Sequence, residues 1–361
     1  MNVAKISSRQ FTWLTITITL ATPALILPEI VIFYAKQSAW LALLLGTSVT
    51  IAVLLLNLAL ARKFPGQSLV QYAQYLLGPW LGKVIGLLYA LAFLYLTAVC
   101  LNIMSQVVKI SLLPETPLWT FVLGLSLFAV YSAWLGIEPI ARANDLILPF
   151  NLLITGSILL LALPHGKLYQ GFPVTQLNLT AILKGAFPPA ACLSEIFFIL
   201  MLAPALNKPQ ELKSATLKGL FFSGFFLTFV TQTFLFVLGV YRASIYLFPA
   251  LRLSEELMFL DIFERFESLV LTTWILLNAL KLSVFTYLYA LTAAQTFNRK
   301  TYKGFLLPAL LLIPLLALIP RNLAEIFQFW LNTISFKLVL PAVFLFLPGL
   351  LLIIAKVKHH A

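Results

Sequence analysis

The chain has 361 residues, of which 61% are hydrophobic and only 10% are charged. A soluble domain carries about 25% charged residues, so this composition excludes a soluble protein. The net charge of +12 is typical of nucleic-acid binding in a soluble protein, but in a membrane protein it first has to be compared with the basic cytoplasmic loops.

Apolar segments long enough to cross a membrane follow one another along almost the whole chain. Since a spanning helix needs roughly 20 residues, the hydrophobic residues fill about ten spans and leave little for a domain outside the membrane. The predicted fold is therefore an all-α polytopic membrane protein, with residues 1–361 as one integral membrane domain. Charged and Pro- or Gly-rich breaks place the spans near residues 10–34, 38–61, 82–110, 117–137, 143–163, 180–205, 214–241, 266–297, 304–320 and 324–355.

The distribution of lysine and arginine predicts the orientation. With the N-terminus inside, the cytoplasmic loops hold twice as many of these residues as the opposite side, which favours two cytoplasmic termini. This bias explains the net charge without a nucleic-acid partner, and no basic patch with interleaved aromatic residues indicates one. The first apolar segment exceeds a signal-peptide core and has no small-residue cleavage site after it, so we expect it to be retained as a span.

Two stretches are predicted not to span. Residues 64–79 alternate glutamine with leucine and tyrosine, which predicts an amphipathic segment at the cytoplasmic interface. Residues 242–267 hold the densest charges of the chain and an apolar stripe. This acidic segment is interpreted as a surface helix, or alternatively as a lid or a docking face for a partner protein.

The first and sixth predicted spans contain related sequences. Residues 22–33 match residues 188–199 at five of twelve positions, with Pro23 over Pro189 and Glu29 over Glu195. The two spans cross the membrane in opposite directions. The sequence therefore predicts an inverted repeat of five plus five spans, covering about residues 9–163 and 180–356.

Proline inside a spanning helix removes a backbone donor, so both of these helices are expected to be broken, at Thr22–Pro23 and at Pro188–Pro189. Facing half-helices offer amides to an anion and free carbonyls to a cation, which suits an amino acid zwitterion. Ordinary proline kinks are the alternative. The candidate ligand-binding residues are Thr19, Thr22, Pro23, Ala24, Tyr95, Pro188, Pro189, Ala190 and Tyr287.

Three charged residues inside predicted spans are candidates for gating or for an ion site: Glu29, Glu195 and Lys281. The two glutamates lie on opposite sides of the proposed site, where an outer and an inner gate are expected, and Glu195 is predicted to be a proton-dependent switch. Lys281 is expected to take the place of a coupling ion. Structural pairing of Lys281 with Glu195 or with free carbonyls is an equal alternative.

No enzyme, cofactor or metal site is predicted. The two cysteines lie in apolar segments, the three histidines are not clustered, and there is no Gly-rich phosphate loop or metal-ligand spacing.

Several motifs resemble the B subunit of the nutrient germinant receptors of spore-forming bacteria, a branch of the amino acid/polyamine/organocation transporter superfamily. They are Ile6–Gln10, the loop Gly136–Arg142 with Asn144, Asp145 and Pro149, Phe248–Arg252, and Phe263–Leu269. The resemblance implies a ten-helix inverted-repeat fold, a ligand pocket at the first and sixth helices, and assembly with an A subunit and a lipoprotein C subunit in the inner membrane of the spore. Transporters of the wider superfamily usually carry glycines at the first break, where this chain has Ala21–Pro23.

Two functions are therefore predicted. The first is a ligand-sensing membrane subunit that binds a small nutrient, such as an amino acid, and passes a conformational change to partner subunits. The alternative is an autonomous proton-coupled amino acid permease.

Overall fold

The computed structural model describes residues 4–172, 178–256 and 266–360. Within these ranges the regular structure is helical, and one isolated β-bridge pairs Ile6 with Leu206. The α-helices are α1 (Ser8–Leu20), α2 (Pro23–Ala35), α3 (Ala39–Lys63), α4 (Leu69–Ser111), α5 (Leu118–Leu135), α6 (Ile137–Ala162), α7 (Leu168–Gly171), α8 (Leu179–Leu193), α9 (Ile199–Leu202), α10 (Leu212–Ile245), α11 (Pro249–Glu256), α12 (Phe266–Thr296), α13 (Leu306–Ala317), α14 (Leu323–Glu325) and α15 (Leu347–His360). Two π-helical segments, Ile326–Val339 and Ala342–Phe346, lie between α14 and α15.

Helices of membrane-spanning length confirm the predicted class of fold. Eight helical runs in the described part are long and apolar enough to cross a membrane. One of them, Pro23–Lys63, contains two α-helices divided by a turn at Lys36–Ser38, and Lys303–Ala317 is a shorter apolar helical segment. The count of about ten spans and the repeat of five plus five stay predictions.

Local sequence signals set several helix boundaries. The Ser7 hydroxyl accepts from the Gln10 amide at 3.2 Å, and the Gln10 side chain accepts from the Ser7 amide at 3.0 Å, so a capping box begins α1. Ser68 begins α4 in the same way. Gly78, with a φ of 82°, separates the predicted amphipathic segment from the spanning part of α4.

The predicted loop Gly136–Arg142 is wrong. Gly136 alone, with a φ of 102°, joins α5 to α6, and helix resumes at Ile137. Since glycine adopts positive φ without steric cost, one residue is enough for the turn. Glu138 and Arg142 then form an i,i+4 ion pair at 2.6 Å on the first turns of α6.

The two predicted helix breaks have different outcomes. The first is confirmed, because α1 ends at Leu20 and α2 begins at Pro23. The second is wrong, since α8 continues through Pro188 and Pro189. The α-helix gives way only further along, to a 3₁₀ turn at Ser194–Phe198, which we call the second break. A proline removes only its own N–H and bends a helix, so neighbouring amides can maintain α8 through the pair.

The centre of the bundle is formed by α12, whose residues Val284, Phe285, Leu288 and Ala290 have no exposed surface. Its most extensive contacts are with α4, and it also packs on α5 and α6. The helices α1, α2, α3, α8 and α10 pack on one another beside it. This arrangement brings both breaks next to α12.

The acidic segment is described only in part. Helix α11 lies at its start and packs on α10, α12 and α2, with Leu253 buried. Residues 257–265, which include Asp261, Phe263 and Glu264, lie outside the described residues.

A close approach of α3 to α8 allows a stability test. A Cβ at Gly46 would lie 2.6 Å from the Ala186 carbonyl oxygen and 2.8 Å from Cγ of Pro189. Gly46→Ala is therefore expected to destabilise the protein by about 1–3 kcal/mol, read as a lower thermal unfolding midpoint in detergent. Gly124→Ala is the control, because no atom lies within 4 Å of its added Cβ. Equal midpoints for the two variants would contradict this packing.

Candidate functional site

The first helix break is held against α12 by hydrogen bonds from Asn278. Its side-chain amide donates to the carbonyl of Ala21 at 3.0 Å and to the carbonyl of Trp274 at 2.9 Å. The Thr22 hydroxyl donates to the side-chain oxygen of Asn278 at 2.8 Å. A backbone carbonyl that the break leaves free therefore receives a partner from a neighbouring helix, as a broken helix in a membrane requires.

Lys281 lies one turn further along α12 and joins this network to the second break. Its ammonium donates to the Thr22 hydroxyl at 3.0 Å and forms an ion pair with Glu195 at 2.5 Å. Glu195 belongs to the 3₁₀ turn after α8. One ammonium therefore contacts both helix breaks, and the pairing of Lys281 with Glu195, one of the alternatives from the sequence, is present.

The pair is electrically neutral but deeply buried. Lys281 has no exposed surface and Glu195 is 8% exposed. The ammonium also lies 5.6 Å from the ring centre of Phe285. Removing two charges from water is costly and is compensated only by their attraction and by further hydrogen bonds, so each residue of the pair depends on the other.

The hydrogen bonds form a directed chain. The lysine ammonium can only donate, so the Thr22 hydroxyl accepts a hydrogen bond from it. The same hydroxyl donates its own hydrogen bond to the side-chain oxygen of Asn278. The amide group of Asn278 is then oriented towards the carbonyl of Ala21. A displacement of the lysine therefore removes a donor from Thr22, whose hydroxyl connects it through Asn278 to the broken backbone.

A narrow apolar cavity lies beside the first break. It includes Ala21 and Ala24, and its volume is about 50 Å³, which is room for a few water molecules. The wall also includes residues of α6, α10 and α12, and Ala250 and Leu253 of α11 line it too. A molecule larger than a few waters enters this cavity only if its walls move apart.

The structure separates the two halves of the predicted ligand site. Ala24 lines the narrow cavity, whereas Pro188 lines a different cavity of about 470 Å³. Ala190 lies against α3, where its carbonyl accepts from the Thr50 hydroxyl at 3.2 Å. The expectation that residues 22–24 face residues 188–190 across one cavity is not met, because Pro189 and Ala190 pack closely on α3 at Gly46.

Three other predicted wall residues make helix contacts. The hydroxyl of Thr19 lies 2.7 Å from that of Ser223 and links α1 to α10. The hydroxyl of Tyr95 lies 3.1 Å from that of Ser335. Tyr287 stacks edge-on with Tyr302 at a ring distance of 5.0 Å. None of the three is in the wall of the narrow cavity.

Glu29 lines the larger cavity and is half-buried. Lys184 and Lys337 line the same cavity. Glu29 and Glu195, which align in the sequence repeat, therefore occupy different surroundings in this conformation.

Most of the narrow cavity was missed by reasoning from the sequence. Phe226, Phe234, Trp274 and Leu277 line it, but apolar residues in an apolar span give no signal that distinguishes a cavity from a helix contact. Asn278 carries a signal, because it lies three residues before an intramembrane lysine.

Contacts of the N-terminal segment close one end of the bundle. The Ile6 amide donates to the Ala205 carbonyl at 2.8 Å, and the Asn207 amide donates to the Ile6 carbonyl at 3.0 Å. Beside this pairing, Gln10 donates to Asp145 at 3.0 Å. The segment before the first break is thus attached to the residues that follow the second break.

The chain is similar to known germination proteins over nearly its whole length. Residues 5–326 match the family described as "Spore germination protein". Spore germination protein YndE of Bacillus subtilis (strain 168) is 29% identical, with 98% of this chain and 97% of that protein covered. Spore germination protein KB of the same strain is 25% identical, with 99% and 96% covered.

Solved structures share the fold. MhsT, solved in complex with L-phenylalanine, aligns with a TM-score of 0.71 over 98% of this chain and 89% of that chain, at 15% identity. MHP1, a nucleobase-cation-symport-1 family transporter solved with bromovinylhydantoin bound, aligns with a TM-score of 0.66 over 97% and 78%, at 14% identity. The matched family and the structural neighbours are receptors or transporters. The chain belongs to the spore germination protein family and is a multi-pass, permease-like membrane protein with a transporter fold.

Proposed function

We propose that this chain is the membrane subunit of a nutrient germinant receptor, which binds a small nutrient such as an amino acid and signals through A and C subunits. The observation that carries the proposal is the buried contact of Lys281 with both Thr22 and Glu195, because it couples two helix breaks through one charge. Membership of the germination protein family supports the biological context.

The proposed binding event takes place in the narrow cavity. A ligand that widens this cavity pushes on Ala21 and Ala24 at the first break and on α11, which lines the same cavity. Movement of the break changes the hydrogen bond from Lys281 to Thr22, and the ion pair transmits the change to the turn that holds Glu195.

A movement of the second break reaches one face of the bundle through the few residues that follow it. Residues 203–206 follow that break and pair with the N-terminal segment at Ile6. We place this closed face in the cytoplasm, with both termini, in agreement with the bias of basic residues. Partner subunits then detect the opening of this face.

The predicted topology belongs to the same proposal. Counting α1 with α2 as one broken span, dividing Pro23–Lys63 at its turn, and adding Lys303–Ala317 gives about ten spans. We propose that they form two inverted repeats of about residues 9–163 and 180–356, in the inner membrane of the spore. A break in the first helix of each half supports this arrangement.

The alternative is an autonomous proton-coupled amino acid permease. The structural likeness to MHP1, a transporter, favours it. In that case Glu195, paired with Lys281, is the group that carries the proton.

Blocking the narrow cavity tests the proposed site. Ala24→Phe fills a cavity of only about 50 Å³ and is expected to abolish nutrient-triggered germination and to remove binding of the triggering amino acid at this cavity. The measurement is equilibrium binding of a radiolabelled amino acid panel, together with germination of spores that carry the variant.

The matched control is Ala52→Phe, because Ala52 is exposed on α3. It should bind and germinate like the unmodified chain. Nutrient-triggered germination that persists in Ala24→Phe, with binding of the triggering amino acid undiminished, places the nutrient elsewhere and contradicts this site.

A further inference from the structure

We propose that the chain has a second ligand site, which binds a molecule carrying both an anionic oxyacid group and a primary ammonium group. The site is the cavity of about 470 Å³ bounded by α2, α8 and the π-helical segment Ile326–Val339. Glu29, Lys184 and Lys337 supply its charges. We call it the charged cavity.

The three charges have no partner within the described part of the chain. Among the residues that the structure describes, no ion pair or hydrogen bond satisfies the side chains of Glu29, Lys184 or Lys337. All three lie within helical runs that are apolar enough to span a membrane. Glu29 is half-buried, whereas Lys184 and Lys337 are exposed. Charges in such segments normally face a partner or a polar cavity, and these three surround one open space, which suits an external ligand of complementary charge.

The size and walls of the charged cavity fit a small organic molecule. Ligand pockets in proteins measure about 300–1,000 Å³ and combine apolar walls with a few polar groups. Here the apolar walls are largely aromatic: Phe33, Tyr34, Phe187, Phe327 and Phe336. Phe33 is 64% exposed, so a ligand can enter from outside the bundle.

The charges define the chemistry of the ligand. Two ammonium groups, from Lys184 and Lys337, suit a carboxylate or a phosphate, and the carboxylate of Glu29 suits a primary ammonium, which has N–H donors. A free amino acid and the head group of an aminophospholipid share this chemistry. The aromatic walls suit an aromatic side chain in the first case and acyl chains in the second.

The charged cavity is separate from the proposed nutrient site. Neither Ala24 nor Lys281 lines it. A test in the Ala24→Phe background therefore measures this cavity alone, and its result does not depend on the function proposed above.

The first arm of the test measures free amino acid. The Ala24→Phe chain in phosphatidylcholine nanodiscs is titrated with L-phenylalanine, and with N-acetyl-L-phenylalanine, which lacks the ammonium. Lys184→Gln with Lys337→Gln is expected to weaken binding of both compounds by at least about tenfold. Glu29→Gln should weaken only L-phenylalanine.

The second arm measures lipid. Native mass spectrometry records how much phosphatidylethanolamine the same chain retains against phosphatidylcholine, whose quaternary ammonium has no N–H donor. Retention of phosphatidylethanolamine is expected to fall with either set of substitutions. Lys109→Gln is the control in both arms, because Lys109 lies outside the cavity. Lys184→Arg should retain binding, because it keeps the positive charge.

A charge-dependent loss in one arm supports the site and identifies its source, as amino acid or as aminophospholipid. Gel filtration and thermal unfolding show whether each variant is folded, and Lys184→Arg decides the matter if a glutamine variant is not. No binding in either arm, or binding that none of the charge substitutions changes, overturns the proposal.

Discussion

Lys281→Met is expected to destabilise the protein by about 3–5 kcal/mol, because it leaves the carboxylate of Glu195 buried without its partner. Methionine keeps most of the volume of lysine, so the change tests the charge and not the packing. The same substitution removes the donor to the Thr22 hydroxyl, which is one of the contacts that hold the first break against α12. The measurement is unfolding of the purified chain in detergent, with the fraction that reaches the membrane as a second readout.

A double-mutant cycle provides the control for this prediction. Lys281→Met combined with Glu195→Gln removes both charges and should recover much of the lost stability, since no uncompensated charge remains. Lys281→Arg should recover only part of it, because the planar guanidinium presents its donors differently. Additive losses in the double variant would show that the two residues are not coupled.

Glu195→Gln is expected to uncouple ligand binding from output. Glutamine mimics the neutral carboxyl group in shape, but it cannot balance the ammonium of Lys281. The contact between the two breaks therefore weakens and the protein loses stability, because the buried ammonium loses its partner. The residues that line the narrow cavity are unchanged. In a receptor the expected result is spontaneous germination or none; in a permease it is loss of proton coupling with exchange intact.

The pH dependence of this variant discriminates a switch from a structural residue. Ligand binding and germination are measured separately over a pH series, for Glu195→Gln and for the unmodified protein. A difference confined to output supports the switch. Superimposable profiles in both readouts would show that Glu195 serves only to balance a charge.

The sequence predicted the parts of the site that depend on local chemistry. Pro23 has no backbone N–H and therefore leaves a carbonyl of the preceding turn without its helical partner. This local effect of one residue predicts a break next to Pro23, and the helix is interrupted at residues 21–22. An intramembrane lysine and an intramembrane glutamate each need a partner, so pairing of Lys281 with Glu195 was one prediction from the sequence. The structure shows that this pairing and the contact with Thr22 exist together.

Other parts depend on how helices rotate and pack, which no single segment determines. Pro188 and Pro189 carry the same local signal as Pro23, but α8 passes through them because it is packed on α3 at Gly46. Tyr287 shares a helix with Lys281 but points to Tyr302. The narrow cavity arises where apolar side chains of several helices fail to fill the space between them.

The central claim is that this chain senses a nutrient for germination, and deletion of its gene in the sporulating host tests it most directly. Spores that lack the chain, and spores complemented with it, are scored separately for nutrient-triggered germination and for uptake of the same radiolabelled nutrient. The account predicts that deletion abolishes germination with that nutrient, that complementation restores it, and that uptake is unchanged. Loss of uptake with normal germination would contradict the account and establish a permease.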